Sequence, residues 1–355
     1  MIDQLLRTPL TELVGVRHPV VQTGMGWVAG PSLVSGTANA GGLGILAGAT
    51  MTLPELESAI GEVRDRTDQP FGVNLRADAG DAPARCDLLI EHGVKVASFA
   101  LAPKPELIAR LKEHDIVVIP SIGAAKHAKK VASWGADAVM IQGGEGGGHT
   151  GSVPTTLLLP TVLDAVDIPV VAAGGFFDGR GLAAALSYGA AGVGMGTRFL
   201  LTRDSRVPDA VKQRYLAAGL DGTVVTRKVD GMPHRMLRTD LVASVEESRA
   251  LRRLGPTARR TLEFKRMSGM SWRRLAADGL AMRRQQGRSL TQVTLAANTP
   301  MMLRAGLVEG DPDAGVLASG QVVGVIDDLP GCEELVDRVV TRAAEELRRT
   351  RGYLA

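Results

Sequence analysis

The chain has 355 residues, enough for one large domain or two unequal ones, and 45% hydrophobic with 22% charged residues is the balance of an ordinary globular protein. A net charge of +3 with only 3% aromatic residues lacks the basic and aromatic interleaving of a single-strand platform, so no nucleic-acid partner is expected. Met1–Arg7 holds an acidic residue and no long apolar run, which predicts neither a signal peptide nor a membrane span, hence a cytoplasmic chain.

From residue 19 to about 200, short Val- and Ile-rich runs alternate with amphipathic stretches. Strands are predicted at Val20–Gln22, Leu43–Leu46, Phe71–Leu75, Val96–Ala100, Val117–Ser121, Ala138–Gln142, Val170–Ala173 and Gly192–Met195. Helical patterns fall between them at Pro54–Arg66, Pro105–His114, Ala124–Trp134 and Gly179–Tyr188. Continuously apolar strands separated by helices imply a parallel sheet covered on both faces, and eight such units point to a closed (β/α)8 TIM barrel of the α/β class. Gly41, Gly93, Gly135 and Gly189 each end a helix just before a strand, as a left-handed helix cap would.

After about residue 204 the pattern changes. Arg252, Arg253, Arg259, Arg260, Lys265, Arg266, Arg273, Arg274, Arg283 and Arg284 fall in a helical-looking stretch, with Met267, Met270, Trp272, Leu275 and Met282 as its apolar face. The expected organisation is a barrel over 1–204, a smaller helical domain over 205–305, and a tail over 306–355 whose final helix, Glu334–Arg351, packs back on the barrel. Cys86 and Cys332 lie too far apart for a zinc motif, and no structural disulfide is expected.

Gly-rich segments follow the first, sixth, seventh and eighth predicted strands, at the end of the barrel where active sites are built. They are Gln22-Thr23-Gly24-Met25-Gly26, the run from Gln142 to Gly151, Ala173-Gly174-Gly175, and Gly194-Met195-Gly196-Thr197. The last two are placed to turn backbone N–H groups on a phosphate. No Walker A or Rossmann fingerprint occurs, so the phosphate belongs to a mononucleotide cofactor or a sugar phosphate, and the residues alone do not choose. His149 closes the longest Gly run. A flexible lead of this kind would let it lean over a flat cofactor, and imidazole suits proton transfer near neutrality. His18, His92, His114 and His127 are read as surface or capping residues. His234, in Asp230-Gly231-Met232-Pro233-His234-Arg235, is read as a loop histidine sooner than a substrate contact.

An ordered set of motifs adds to this: Pro19-Val20-Val21-Gln22, Met25, Asn39-Ala40-Gly41-Gly42-Leu43-Gly44, Gly72-Val73-Asn74, Glu145-Gly146-Gly147-Gly148-His149, Ala172-Ala173-Gly174-Gly175 and Met195-Gly196-Thr197-Arg198-Phe199. Together with Ala318-Ser319-Gly320-Gln321 it resembles the nitronate monooxygenase (2-nitropropane dioxygenase) family of FMN enzymes. The resemblance implies that Gln22, Gly24, Met25, Asn74 and Gln142 contact the isoalloxazine and ribityl chain, and that Gly174, Gly175, Gly196 and Thr197 hold the phosphate. Thr23, Ser121, Gly147, Gly148, Ala173 and Met195 complete the implied cofactor set, and His149 matches the family's catalytic histidine.

Two features depart from the nitronate pattern. Thr23-Gly24-Met25-Gly26-Trp27-Val28-Ala29 looks more like the FMN-dependent enoyl-thioester reductases of the same superfamily. Gly146 replaces an alanine, a change expected only to loosen the loop. The whole chain most resembles an actinobacterial subgroup of flavin oxidoreductases acting on CoA thioesters of steroid-ring breakdown. That implies hydride exchange at flavin N5 with carbon, His149 moving the proton, and NADH or NADPH as a visiting co-substrate, while the Arg run reads first as a solvated helix face and, as the alternative, as a holder of the CoA phosphates. The direction of reaction stays open, and so does the oligomeric state, a homodimer included. The alternative is oxidation of alkyl nitronates with O2. A non-redox sugar-phosphate barrel would leave Gln22, Asn74 and Gln142 without a task.

Overall fold

The computed structural model describes residues 6–247, 290–311 and 315–354. Eight strands, β1 (Val20–Gln22), β2 (Leu43–Leu46), β3 (Gly72–Arg76), β4 (Val96–Ala100), β5 (Val117–Ile122), β6 (Val139–Gln142), β8 (Val170–Ala173) and β9 (Gly192–Met195), form a closed parallel barrel in that order. β9 pairs back on β1 through Val20–Val193 and Gln22–Met195. The predicted strands stand where the sequence put them, with end shifts of one residue.

Strand periodicity divides the apolar residues between two layers. Val21, Ile45, Val96, Ile119, Met140 and Val171 cluster with one another inside the barrel. Their neighbours Val20, Val139, Ile141, Val170, Ala172 and Val193 cluster with the surrounding helices. Leu10 and Val14, on the helix Pro9–Val14, join the inner cluster, and Thr8 Oγ1 donates to the Ala191 carbonyl at 2.6 Å. This helix therefore plugs the end at which the strands begin, which leaves the opposite end for chemistry.

Four of the helix-to-strand joints share one backbone device. Gly41, Gly93, Gly135 and Gly189 have φ of +88°, +53°, +95° and +101°, a region that side chains with Cβ seldom enter. The long helix Cys332–Arg351 lies against the helix Gly179–Tyr188. A Cβ on Gly179 would come within 2.4 Å of the Val339 carbonyl oxygen, so glycine sets that close approach.

A second, smaller sheet was not anticipated. β10 (Thr223–Thr226) and β11 (His234–Leu237) form an antiparallel pair, and β7 (Gly148–His149), from the loop after β6, adds to it in the order β10-β11-β7. The described part of 205–305 is therefore mixed: the helices Asp209–Leu216, Asp240–Glu247 and Leu290–Leu307 accompany this hairpin. Residues Arg252 to Arg284, on which the basic-stretch reading depends, lie outside the described residues. Both cysteines are free and buried. Among the described residues no helix is long and apolar enough to cross a membrane.

Candidate active site

The strand ends opposite the plug converge on a polar floor. Gln22, the last residue of β1, is fully buried; its Nε2 donates to the carbonyls of Thr23 (2.5 Å) and Ile45 (3.3 Å), while its Oε1 is buried without a partner among the described residues. A buried amide oxygen left unmatched is costly, and a bound group with an N–H edge would satisfy it. Asn74 of β3 lies directly under the first loop, where a Cβ on Gly24 would fall 2.4 Å from the Asn74 Cβ. Asn74 Nδ2 donates to Ser98 Oγ at 3.4 Å, and Ser121 sits half-buried near the end of β5. A Cβ built on Gly196 would touch Thr23 Oγ1 and the Met25 side chain, and one on Gly194 would touch Thr23 and Ala173. The first, seventh and eighth strand ends thus meet around one cradle, and Met195 is buried within its wall.

Gly174 and Gly175 both take positive φ, +98° and +87°. Thr197 Oγ1 accepts the Gly320 N–H at 2.8 Å, which draws the Ser319-Gly320 tail against the eighth-strand loop. The donor-rich glycine turns, the orphaned Gln22 oxygen and the amides above it fit a planar cofactor with a polar edge and a phosphate tail.

The Gly run before His149 is pinned where flexibility was expected. β7 pairs with β11 through His149–His234 and Gly148–Arg235. Gln142 Nε2 donates to the carbonyls of Gly147 (3.1 Å) and His149 (2.9 Å), and the Thr150 N–H to the Pro233 carbonyl. The Arg235 guanidinium holds the Gly144 carbonyl at 2.9 Å. Glu145 accepts the N–H and hydroxyl of Thr155 at the start of the helix Thr155–Leu163. Gly146 does not loosen this loop: a Cβ there would fall 2.6 Å from Gln142 Nε2, so the missing methyl lets the Gln142 staple fold beneath.

His149 is left with its side chain 54% exposed, and its Nε2 lies 2.6 Å from Asp230 Oδ2. Asp230 and His234, 6% and 2% exposed, complete the cluster: His234 Nδ1 is 3.2 Å from the same oxygen. The ligand types would suit a metal, but two ligands about a tetrahedral zinc at ~2.0–2.1 Å stand roughly 3.3 Å apart. The 2.6 Å contact is a hydrogen bond. Sequence reasoning missed Asp230 altogether and took His234 for a loop residue. The available signal was the Asp-Gly-x-Pro-His spacing, which reverses the chain and returns the histidine to the aspartate four residues back.

With this geometry in place, comparison with known proteins is decisive for the family. The nitronate monooxygenase family profile matches residues 7–86 and 82–342. The chain belongs to the nitronate monooxygenase family. A Rhodococcus jostii relative named "(3aS,4S,5R,7aS)-5-hydroxy-7a-methyl-1-oxo-octahydro-1H-indene-4-carboxyl-CoA dehydrogenase" is 71% identical over 342 residues, covering 96% of this chain and 97% of its own length. A Mycobacterium tuberculosis relative of the same name is 68% identical over 346 residues, covering 97% and 98%. Among solved structures, FabK from Thermotoga maritima superposes with a TM-score of 0.78 at 34% identity, covering 98% of this chain and 99% of that one. The chain is an oxidoreductase enzyme of this family, and the barrel expected from the sequence is the family's fold.

The charge on Asp230 has a consequence for stability. Burial by itself would raise its carboxyl pKa; hydrogen bonds from His149 and His234, the charge of His149 and the Met232 N–H outweigh burial and hold it well below the usual carboxylate range. A folded-state pKa below the unfolded value near 3.9 contributes stability that is full above about pH 4 and fades as pH falls through that range. Urea unfolding of the wild type and Asp230→Asn is expected to show a stability gap at pH 7 that narrows below about pH 4. A gap independent of pH would mean that the Asp230 carboxyl titrates alike in the folded and unfolded chain, and a gap that widened on acidification would mean that it is held neutral.

Proposed function

We propose that this chain is an FMN-dependent dehydrogenase of a CoA thioester of a hydroxylated, steroid-derived bicyclic acid, with His149 as its acid/base residue. The observation that carries the reading is a half-exposed histidine held by a buried, ionised Asp230 at the rim of a glycine cradle floored by an unmatched Gln22 oxygen. The name shared by the two relatives at 71% and 68% identity supports the substrate class and the oxidative direction.

Gln22, Thr23, Gly24, Met25, Asn74, Ser121 and Gln142 would hold the ring system and ribityl chain. Gly174, Gly175, Gly196 and Thr197 would hold the phosphate, with Gly147, Gly148, Ala173 and Met195 completing the wall. FMN, when bound, supplies a two-electron acceptor at N5. His149 takes the proton from the carbon next to the thioester carbonyl as that carbon's neighbour gives up hydride, so one C–C single bond becomes a double bond. Asp230 balances the positive charge that His149 gains. The pinned loop keeps His149 at one height above the cradle, which is the positioning that makes proton transfer effective. The oxidised nicotinamide, NAD+ or NADP+, would take up the two electrons from the same pocket and leave as NADH or NADPH, and a cytoplasmic location suits both CoA esters and nicotinamides.

The test is the yellow flavin absorbance of FMN-loaded protein kept anaerobic. The expected result is bleaching on addition of the hydroxylated bicyclic acyl-CoA. Bleaching by an alkyl nitronate and not by the thioester would replace this reading with nitronate oxidation. Protein that takes up no FMN would overturn the cofactor.

A further inference from the structure

We propose that Asp230 and His234 are positioning residues that fix His149 in the tautomer protonated on Nε2, so that Nδ1 is the nitrogen that takes the substrate proton. This rests on the reading of His149 as the acid/base.

The argument begins with backbone pairing. The β7–β11 register sets His149 directly opposite His234, and directly opposed residues of an antiparallel pair share a face. Their ring centroids are 4.7 Å apart with planes tilted by 50°. The turn before β11 then folds Asp230 onto that face. Gly231 takes φ +84° and its N–H bonds back to the Arg227 carbonyl, a conformation that suits glycine. Asp230 Oδ1 is spent on the Met232 N–H at 2.9 Å, so only Oδ2 remains for the two rings.

An ionised carboxylate accepts hydrogen bonds and donates none. Oδ2 has two lone-pair directions and two ring nitrogens beside it, His149 Nε2 at 2.6 Å and His234 Nδ1 at 3.2 Å. Both contacts are satisfied together only when each ring donates. His149 is therefore protonated on Nε2, and its remaining lone pair is on Nδ1. His234 spends its Nδ1 proton on the same oxygen, and its Nε2 is buried without a partner among the described residues. A buried acceptor with no donor is tolerated at a cost, which a residue present only for packing would not need to bear. A carboxylate that orients a catalytic imidazole through its far nitrogen is a known way to set the tautomer.

The other charges near the pair are already occupied. The Arg235 guanidinium bonds the Gly144 carbonyl and Thr223 Oγ1, and Glu145 bonds Thr155. Arg227 and Lys228 are exposed on the turn. Asp230 is thus the anion in contact with His149, and His234 is what holds Asp230 from its buried side.

The experiment uses FMN-loaded protein labelled with nitrogen-15 in histidine, together with steady-state kinetics. The wild type is expected to show His149 protonated on Nε2 and bare on Nδ1 in its neutral form. Asp230→Asn, equal in shape and uncharged, is expected to lose that single tautomer and to lower kcat by about 10²–10⁴-fold while KM changes little. His234→Asn keeps a donor where Nδ1 stood and is expected to retain most of kcat. His234→Phe fills the space without a donor and is expected to lose about tenfold or more. His149 protonated on Nδ1 in the wild type would overturn the proposal, and so would wild-type tautomer and kcat in Asp230→Asn. The nitrogen spectrum needs no substrate. A wrong substrate assignment would therefore appear separately, as a wild type with the expected tautomer and no turnover of the thioester.

Discussion

Replacing His149 by glutamine is expected to lower the rate of flavin reduction by the thioester by about 10²–10⁴-fold, the usual contribution of a positioned acid/base group. Glutamine is the informative choice because its amide nitrogen reaches to about where imidazole Nε2 stands. The 2.6 Å contact with Asp230 can persist while the basic nitrogen is gone. The backbone of residue 149 stays paired with His234, and its carbonyl still accepts from Gln142. The side chain is 54% exposed and the amide keeps a donor on the buried Asp230, so the loss of stability should be smaller than that of Asp230→Asn, limited to the charge that imidazole lends the carboxylate. FMN content should match the wild type, because the cradle at Gln22, Gly174 and Thr197 is untouched. The measurement is anaerobic stopped-flow absorbance at saturating thioester. A variant reduced as fast as the wild type would remove His149 from the chemistry and leave it a role in loop structure only.

The barrel was legible because its signals are local. Runs such as Val139-Met140-Ile141 are apolar on both faces, and four of the joints carry a glycine where the helix must stop. The glycine segments after the strands were legible for the same reason, whereas Gln22, Asn74, Gly174 and Thr197 were singled out by the family resemblance, and the fold brings all four to one end of the barrel. What decides the character of His149 was not legible, because it is made by pairing across long separations. β7 is two residues long, Gly148 and His149, and neither favours a strand; it exists because β11 lies beside it more than eighty residues later. The partner hairpin carries weak alternation, with Thr223 and Thr226 buried and Val225 exposed, so its apolar pattern did not separate it from a loop. Asp230 carried no signal of its own in the sequence, because only the turn brings it against the two rings. Gly146 misled in the other direction. An added glycine reads as slack in a sequence, whereas here it makes room for Gln142.

The same pairing makes Gly147 the position at which a single methyl should do the most damage to activity for the least damage to the fold. A Cβ on Gly147 would lie 2.5 Å from the Gly320 nitrogen and 2.6 Å from the Ser319 carbonyl carbon, both backbone atoms with no rotamer to change. Neither can retreat freely. The Gly320 N–H is bonded to Thr197, the Gln321 N–H to the Glu145 carbonyl, and Ala318 bridges Met236 of β11. Overpacking of this kind costs about 1–3 kcal/mol, and it is discharged where the chain yields first. That place is the loop from Gly143 to His149 or the 318–321 tail, since the barrel strands beneath are bonded on both edges. A shift of about 1 Å there moves His149 relative to the cradle and pulls the tail from Thr197, and misplacement on that scale costs about 10²-fold in rate. Gly147→Ala is therefore expected to lose at least about 10²-fold in kcat and to bind FMN more weakly, with Tm lowered by a few degrees. Gly148→Ala is the control: open space surrounds its Cβ, so it meets only the strain of φ +73°, about 1–2 kcal/mol. Kinetics, FMN titration and thermal unfolding of the two variants separate contact from strain. Wild-type turnover in Gly147→Ala would show that the 318–321 tail is free to give way, and that the catalytic loop does not depend on it.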